Sequence, residues 1–156
     1  MRARPADPVA GGDARADPDL PREGERPGYA DARECAACHP VETERWRGSH
    51  HDRAMEPATE GTVLGDFGGA AFEDAGTTTR FFRNGGRFYV NTEGPDGRAA
   101  DFEVLYTFGV DPLQQYLVSL PGGRLQCLTV AWNTQARMWF SLYPGKRINT
   151  GDPLHW

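Results

Sequence analysis

The sequence predicts an α+β fold class: short N-terminal helices followed by an antiparallel β-meander of about six strands, with a disordered N-terminal tail. Three observations support this prediction. Residues 1–28 are rich in Pro, Gly and charged residues and hold almost no large apolar side chain. Residues 29–57 carry the only pattern compatible with helices. From residue 77 to residue 143, branched and aromatic residues alternate with polar ones between turn signals, which is typical of short strands.

The composition indicates one domain. The 156 residues, 38% of them hydrophobic, suffice for a single core, which we assign to residues 29–156. The net charge of -5 argues against a nucleic-acid partner, because such a surface needs concentrated Lys and Arg. No run of about 18 apolar residues is present, so the sequence predicts no transmembrane segment.

The N-terminal elements are short. The tail, residues 1–28, cannot bury enough apolar surface to offset its ordering entropy, so we expect it to be disordered. Asp31 is a candidate N-cap for a first short turn. Pro40 suits the first turn of a second helix, predicted from Val41 to about Met55, in which Gly48 is a weak point. The apolar face of this helix is thin, so it needs a further hydrophobic surface.

Turns rich in glycine separate the predicted strands. We assign no regular element to residues 60–79 and a short turn or helix to residues 113–116. Asn84-Gly85-Gly86 predicts a tight hairpin, because Asn and Gly accept positive φ angles. The predicted strands are residues 79–82, 87–92, 100–108, 115–120, 125–132 and 138–143.

One stretch carries recognisable chemistry. Cys35, Cys38 and His39 form the pattern Cys-x-x-Cys-His, which is the attachment pattern of a c-type haem. On a helical turn, residues i, i+3 and i+4 share a face, so the three side chains can meet one flat ligand. The two thiols can form thioethers with the vinyl groups of the porphyrin, while His39 binds the iron as proximal ligand. The sequence therefore predicts one covalently bound haem c.

Three other interpretations of the two cysteines remain open. A zinc site needs four ligands, which Cys35, Cys38 and one or two of His50 and His51 could supply. A thioredoxin-like redox pair needs a βαβ unit around the motif, but the residues before it read as tail. The pair could also be a structural coincidence. The zinc interpretation gives His39 no role, so we favour haem.

The second axial ligand of the iron has three candidates. His50, His51 and Met55 follow the motif, and His51 and Met55 are spaced i, i+4 on one helical face. His50 and His51 point about 100° apart on a helix, so at most one of them faces a given iron. Met55 as ligand would raise the reduction potential relative to a bis-histidine iron, and its alternative role is packing.

Three further residues are of interest. Trp46 either lies against the porphyrin or is a core aromatic residue. Cys127 lies in a predicted apolar strand, where we expect a small buried hydrophobic side chain. His155 is expected to have no partner within the chain, and in a longer chain it could ligate another haem. The sequence contains no phosphate-binding loop and no nucleophile elbow.

A family resemblance rests on these residues. The run ECAACHPVETERWRGSHHDRAM, with Trp46, Ser49 and His51 after the motif, resembles the cytochrome c-552/c-554-type domain of bacterial multihaem c-type cytochromes. EGTVLGDF, RFFRNGGRFYVNTEGPDG, YTFGVDPLQQYLVSLPGGRLQCLTVAWN and GDPLHW are similar to the branch that carries tetratricopeptide repeats. The resemblance covers residues 29–156. In the family's Trp-x-x-Ser-x-His pattern the final His is the distal ligand, which implies that His39 and His51 both bind the iron.

The resemblance implies a periplasmic or otherwise extracytoplasmic electron-transfer domain, although the sequence shows no signal peptide. Its expected partners are redox proteins and further haem domains of a longer chain. With both axial positions filled, the iron relays electrons, so an electron carrier is favoured over a catalyst. The alternatives are an open-site haem reductase subunit, with His51 displaced, and a zinc-binding or interaction module. The single motif and the end at His155-Trp156 lead us to expect an N-terminal fragment of a multihaem cytochrome, truncated at the C-terminus.

Overall fold

A computed structural model describes residues 32–155 of the chain. The predicted tail, residues 1–28, and the candidate N-cap Asp31 lie outside this range. Among the described helices, none is long and apolar enough to cross a membrane. The elements in chain order are α1 (Ala32–Cys38), α2 (Pro40–Trp46), β1 (Met55–Pro57), β2 (Ala71–Asp74), β3 (Thr77–Asn84), β4 (Arg87–Glu93), β5 (Ala99–Phe108), β6 (Leu113–Leu120), β7 (Arg124–Cys127), β8 (Val130–Asn133) and β9 (Met138–Ser141).

The predicted α+β class is wrong, because the described chain is mostly antiparallel β-structure. Its two helices, α1 and α2, are seven residues long each. The second helix ends at Trp46 rather than near Met55, and Gly48 just beyond it has a φ of 70°, which lies outside helical geometry. No residue of α2 is buried, so this helix does not form a packed layer on the sheet.

The nine strands form one curled sheet in place of a six-stranded meander. The strand order is β2-β3-β4-β5-β6-β8-β9, with β1 paired to β5 and β7 paired to β6. The first half of β5 pairs with β4, and its second half pairs with β1 and β6. A register shift between Val104 and Tyr106 interrupts the pairing of β5 with β6, and such irregularities bend a strand. The curl brings the end strands β2 and β9 close to each other.

Two strands, β1 and β2, arise where the sequence shows no two-residue period. Both are short, and each pairs with one longer strand, β1 with β5 and β2 with β3. Their conformation therefore depends on an edge that only the folded sheet provides. The predicted hairpin at Asn84-Gly85-Gly86 is confirmed, with φ of 58° at Gly85 and 78° at Gly86.

Two further differences concern β6 and its partners. This strand begins at Leu113, where the sequence predicts a short turn or helix. The predicted strand 125–132 is split into β7 and β8, which pair with successive parts of β6. Between them, the N–H of Leu128 donates to the carbonyl of Tyr116 at 3.0 Å, so the segment stays attached to β6 through the break.

The core centres on Phe67, which belongs to the irregular segment between β1 and β2. Its ring makes edge-to-face contacts with four other buried rings, at centroid distances from 5.1 to 5.7 Å. Edge-to-face pairs of this kind stabilise by about 0.5–1.5 kcal/mol each beyond the burial of their area. The irregular segment is therefore part of the core. The four rings belong to Phe81, Phe88, Tyr116 and Trp139.

The side chain of Gln114, which is 2% exposed, holds the same irregular segment. Its Oε1 accepts hydrogen bonds from the N–H of Leu64 and the hydroxyl of Tyr116, both at 2.8 Å. Its Nε2 donates to the carbonyls of Thr62 at 3.0 Å and Gly109 at 3.2 Å. The carboxamide thus uses two donors and two acceptor positions, so its burial leaves no polar group unpaired.

Gly65 marks the closest approach of this segment to β6 and β9. Its N–H donates to the Tyr116 hydroxyl at 2.8 Å. A Cβ at this position would lie 2.6 Å from that hydroxyl oxygen and 2.8 Å from the ring of Trp139. Because two buried aromatic side chains fill the space, only glycine fits here.

We expect Gly65→Ala to destabilise the protein by about 1–3 kcal/mol, the usual cost of overpacking a core. Gly61→Ala is the matched control, because the nearest atom to a Cβ there, Thr59 Oγ1, is 3.9 Å away. We expect the control to change the free energy of unfolding by less than about 0.5 kcal/mol. Urea denaturation measures both, and equal midpoints for the two variants would contradict the packing argument.

Burial raises the pKa of the Tyr116 hydroxyl above its usual range, although the hydrogen bond from Gly65 acts in the opposite direction. In the unfolded chain, this tyrosine ionises near about pH 10. The stability that the neutral hydroxyl contributes is therefore complete below that pH and is lost as the pH rises above it.

Above about pH 10, we expect the free energy of unfolding to fall more steeply in the wild-type protein than in Tyr116→Phe, which has no hydroxyl to ionise. Urea denaturation at a series of pH values measures both slopes. Parallel slopes for the two proteins would show that Tyr116 does not ionise on unfolding.

Candidate functional site

The Cys-x-x-Cys-His motif lies at the end of α1, as a single helical turn. The N–H of His39 donates to the carbonyl of Cys35 at 2.8 Å, so the helical hydrogen bonding continues one residue past Cys38. The two thiols are free, and all three side chains are exposed. The turn therefore presents two thiols and one imidazole to solvent within five residues.

A break in helical geometry at His39 separates α1 from α2. Its φ of -125° and ψ of 56° lie outside the helical region, and Pro40 starts the next helix. The carbonyl of His39 accepts hydrogen bonds from the N–H of Thr43 at 3.0 Å and from its hydroxyl at 2.8 Å. Thr43 thus secures the start of α2 directly behind the motif, which limits the backbone freedom of His39.

Residues 32–54 carry the predicted haem motif, and we call them the haem segment because of that prediction. This segment packs little against the rest of the chain. Helices α1 and α2 contact each other, but within the described range neither contacts a strand. The apolar side chains of Val41 and Trp46 are exposed. Trp46 is thus not a residue of the core.

The three candidates for the distal ligand do not share a helix. His50 and His51 lie in the turns between α2 and β1, and both are exposed. Met55 belongs to β1 and pairs with Phe108, so the predicted i, i+4 helical face of His51 and Met55 does not form. The structure therefore separates Met55 from the two histidines by a change of secondary structure.

Hydrogen bonds within the turns order the backbone around the two histidines. The N–H of Gly48 donates to the Asp52 carboxylate at 2.7 Å, and the N–H of Asp52 donates to the hydroxyl of Ser49 at 3.2 Å. The carbonyl of His51 accepts from the N–H of Ala54 at 3.3 Å. These bonds use backbone and short polar side chains, which leaves both imidazoles to solvent.

The donor set can be compared with the two groups that the motif suggests. A zinc site would bring Cys35 and Cys38 together with His50 or His51, but no cluster of three or more His, Cys, Asp and Glu residues forms within residues 32–155. Haem c needs only two accessible thiols and an adjacent imidazole on one turn. The exposed thiols and imidazole of the motif fit that requirement.

His155 and Cys127 lie away from the motif. His155 is 8% exposed at its side chain, and its Nε2 lies 3.6 Å from Oε1 of Glu93, so the expectation that it lacks a partner within the chain is wrong. Cys127 is partly buried at the end of β7, and this burial raises the pKa of its thiol.

A cavity of about 90 Å³ borders both residues, and sequence reasoning does not find it. It lies under residues 146–155, between the ends of β2–β4 and β7–β9. Arg147 donates to Glu93 Oε2 at 2.7 Å and also to the hydroxyl of Thr77, which holds the covering segment to the sheet. The residues of the Cys-x-x-Cys-His motif do not line this cavity. No signal in the sequence connects positions so far apart.

Comparisons of the chain with models of protein families, with curated proteins and with solved structures give no match.

Proposed function

We propose that this chain is an electron-transfer domain of a c-type cytochrome that binds one haem c covalently. Cys35 and Cys38 form the two thioethers, and His39 is the proximal ligand of the iron. The observation that carries the proposal is the exposed helical turn, on which two free thiols and an imidazole stand within five residues. When bound, the haem supplies an iron that cycles between ferric and ferrous states.

His51 is the proposed distal ligand. Its imidazole is exposed, and it follows the motif after one short helix and a hydrogen-bonded turn. With an imidazole on each side, no coordination position is open to a substrate, so the domain passes electrons and does not catalyse. The resemblance to multihaem cytochromes with tetratricopeptide repeats further suggests an extracytoplasmic location and neighbouring haem domains as partners.

The protein matrix has two tasks in this function. The helical turn places Cys35 and Cys38 on one face, because residues i and i+3 share a face of a helix, and the hydrogen bonds from Thr43 hold the backbone of the proximal His39. The environment of the iron then tunes its potential through the ligands and through exposure to water.

The first test of this function is covalent attachment. The chain is expressed with an export signal and with c-type haem maturation proteins, and a denaturing gel is stained for the peroxidase activity of haem. We expect a stained band for the wild-type protein and none for Cys35→Ala/Cys38→Ala, which has no thiol to form a thioether. Cys127→Ala, at a partly buried strand position, is the control and retains the stain. A colourless wild-type band with bound zinc would refute the proposal.

Substitution of the histidines tests the distal ligand. In the haem-loaded protein, we expect His51→Ala to convert the low-spin ferrous spectrum to a high-spin one, because one strong axial ligand is lost. His50→Ala is the matched control, because both imidazoles are exposed and equally free of structural hydrogen bonds in the described turns. We expect this control to keep the low-spin spectrum, because His51 remains as a ligand. The opposite pattern would assign the distal position to His50, and a change only in Met55→Ala would assign it to Met55.

A further inference from the structure

An apolar surface lies on the outer side of β1, β5 and β6. Register pairs Met55 with Phe108 and Tyr106 with Leu117, and paired residues of antiparallel strands point to the same face. The alternate residue Thr107 is buried on the core side. These four side chains therefore point away from the core, and we call them the outer patch.

The outer patch is apolar, yet two of its four side chains are largely exposed to solvent. Met55 and Phe108 are each 47% exposed, while Tyr106 and Leu117 are half-buried. A methionine and a phenylalanine side by side on paired strands form a continuous apolar area, whereas single exposed apolar residues are ordinary. Such a continuous area is typical of a surface that contacts another group.

The outer patch begins where the haem segment ends. Eight residues, 47–54, connect α2 to β1, and Met55 is the first residue of β1. The N–H of Gly109 donates to the carbonyl of Ala54 at 2.7 Å, which ties the end of the haem segment to the end of β5 beside Phe108. The segment that carries the motif therefore leads directly into the outer patch along the chain, and its end is hydrogen-bonded to the sheet.

Two apolar side chains of α2, Val41 and Trp46, are also exposed, and they lie about 140° apart around the helix, so they do not form one surface. Since α1 and α2 contact no strand in the described chain, these side chains do not cover the outer patch. A flat apolar group attached at Cys35 and Cys38 would have the outer patch available for apolar contact. Met sulfur and aromatic rings both make favourable contacts with such a π-system.

We propose that the outer patch is the surface that covers the haem attached at Cys35 and Cys38, with Met55 and Phe108 as its principal contacts. This inference rests on the proposed function. Two consequences follow from it. Haem attachment stabilises the β-sheet, because contacts made only in the folded protein shift the unfolding equilibrium. Exclusion of water by the outer patch raises the reduction potential, because the more highly charged ferric form loses more by desolvation than the ferrous form.

The experiment compares three haem-loaded proteins: the wild type, Met55→Ser/Phe108→Ser and Met138→Ser. The last is the matched control, because Met138 is 56% exposed and lies on β9, three strands along the sheet from β5. Cys35→Ala/Cys38→Ala serves as the haem-free reference. The measurements are haem staining on a denaturing gel, thermal unfolding of the sheet by circular dichroism, and the reduction potential.

We expect all three proteins to stain for covalent haem. The wild type and Met138→Ser melt at a higher temperature than the haem-free reference, and Met55→Ser/Phe108→Ser loses at least half of that increase. In the same double variant, the potential falls by at least 59 mV, which corresponds to a tenfold shift of a one-electron equilibrium.

Three results overturn the inference, and they are distinguishable. Full staining with unchanged melting temperature and potential in Met55→Ser/Phe108→Ser would show that the haem does not contact the outer patch, while the proposed function stands. Absence of staining in the wild type would refute the proposed function and the inference with it. An equal loss in Met138→Ser would show a general effect of surface serines and would likewise refute the role of the outer patch.

Discussion

The carboxamide of Gln114 is the interaction on which the rest of the fold depends. It makes four hydrogen bonds, and two of them hold the backbone of Thr62 and Leu64 in a segment without regular structure. This attachment places Gly65 against Tyr116 and inserts Phe67 among the aromatic rings of the sheet. Removal of the carboxamide would leave buried backbone groups unpaired, which costs more than the loss of the bonds themselves. The curled sheet therefore surrounds the irregular segment between β1 and β2, which lies at the centre of the core.

This core is complete without the haem segment, and that separation bears on function. Every ring that surrounds Phe67 comes from a strand, whereas α1 and α2 bury nothing on the sheet. A c-type haem is held by covalent bonds, so its attachment does not need a preformed pocket. In the proposed function, the β-sheet covers the haem and tunes its potential, and the helical turn supplies the covalent bonds.

The proposed haem function does not involve the cavity under residues 146–155. Glu93 lines this cavity, accepts a hydrogen bond from Arg147 and lies 3.6 Å from Nε2 of His155. An isolated exposed pair of this kind contributes little, but Arg147 also bonds Thr77 and the side chain of His155 is almost fully buried. Residues 146–155 are thus fastened to the sheet, and the side chain of His155 is buried against Glu93.

The sequence by itself determined local features whose chemistry involves near neighbours. It located the Cys-x-x-Cys-His turn, the hairpin at Asn84-Gly85-Gly86 and most of β3 to β6, because helical turns, tight turns and two-residue periods are set by residues a few positions apart. It overestimated the second helix and missed β1 and β2, since short strands form only against an edge that already exists. Only the tertiary structure decided that Gln114 and Phe67 organise the core, that His155 lies against Glu93, and that Met55 joins Phe108 on the sheet. Each of these depends on contacts between residues that are distant in the chain, which no local pattern encodes.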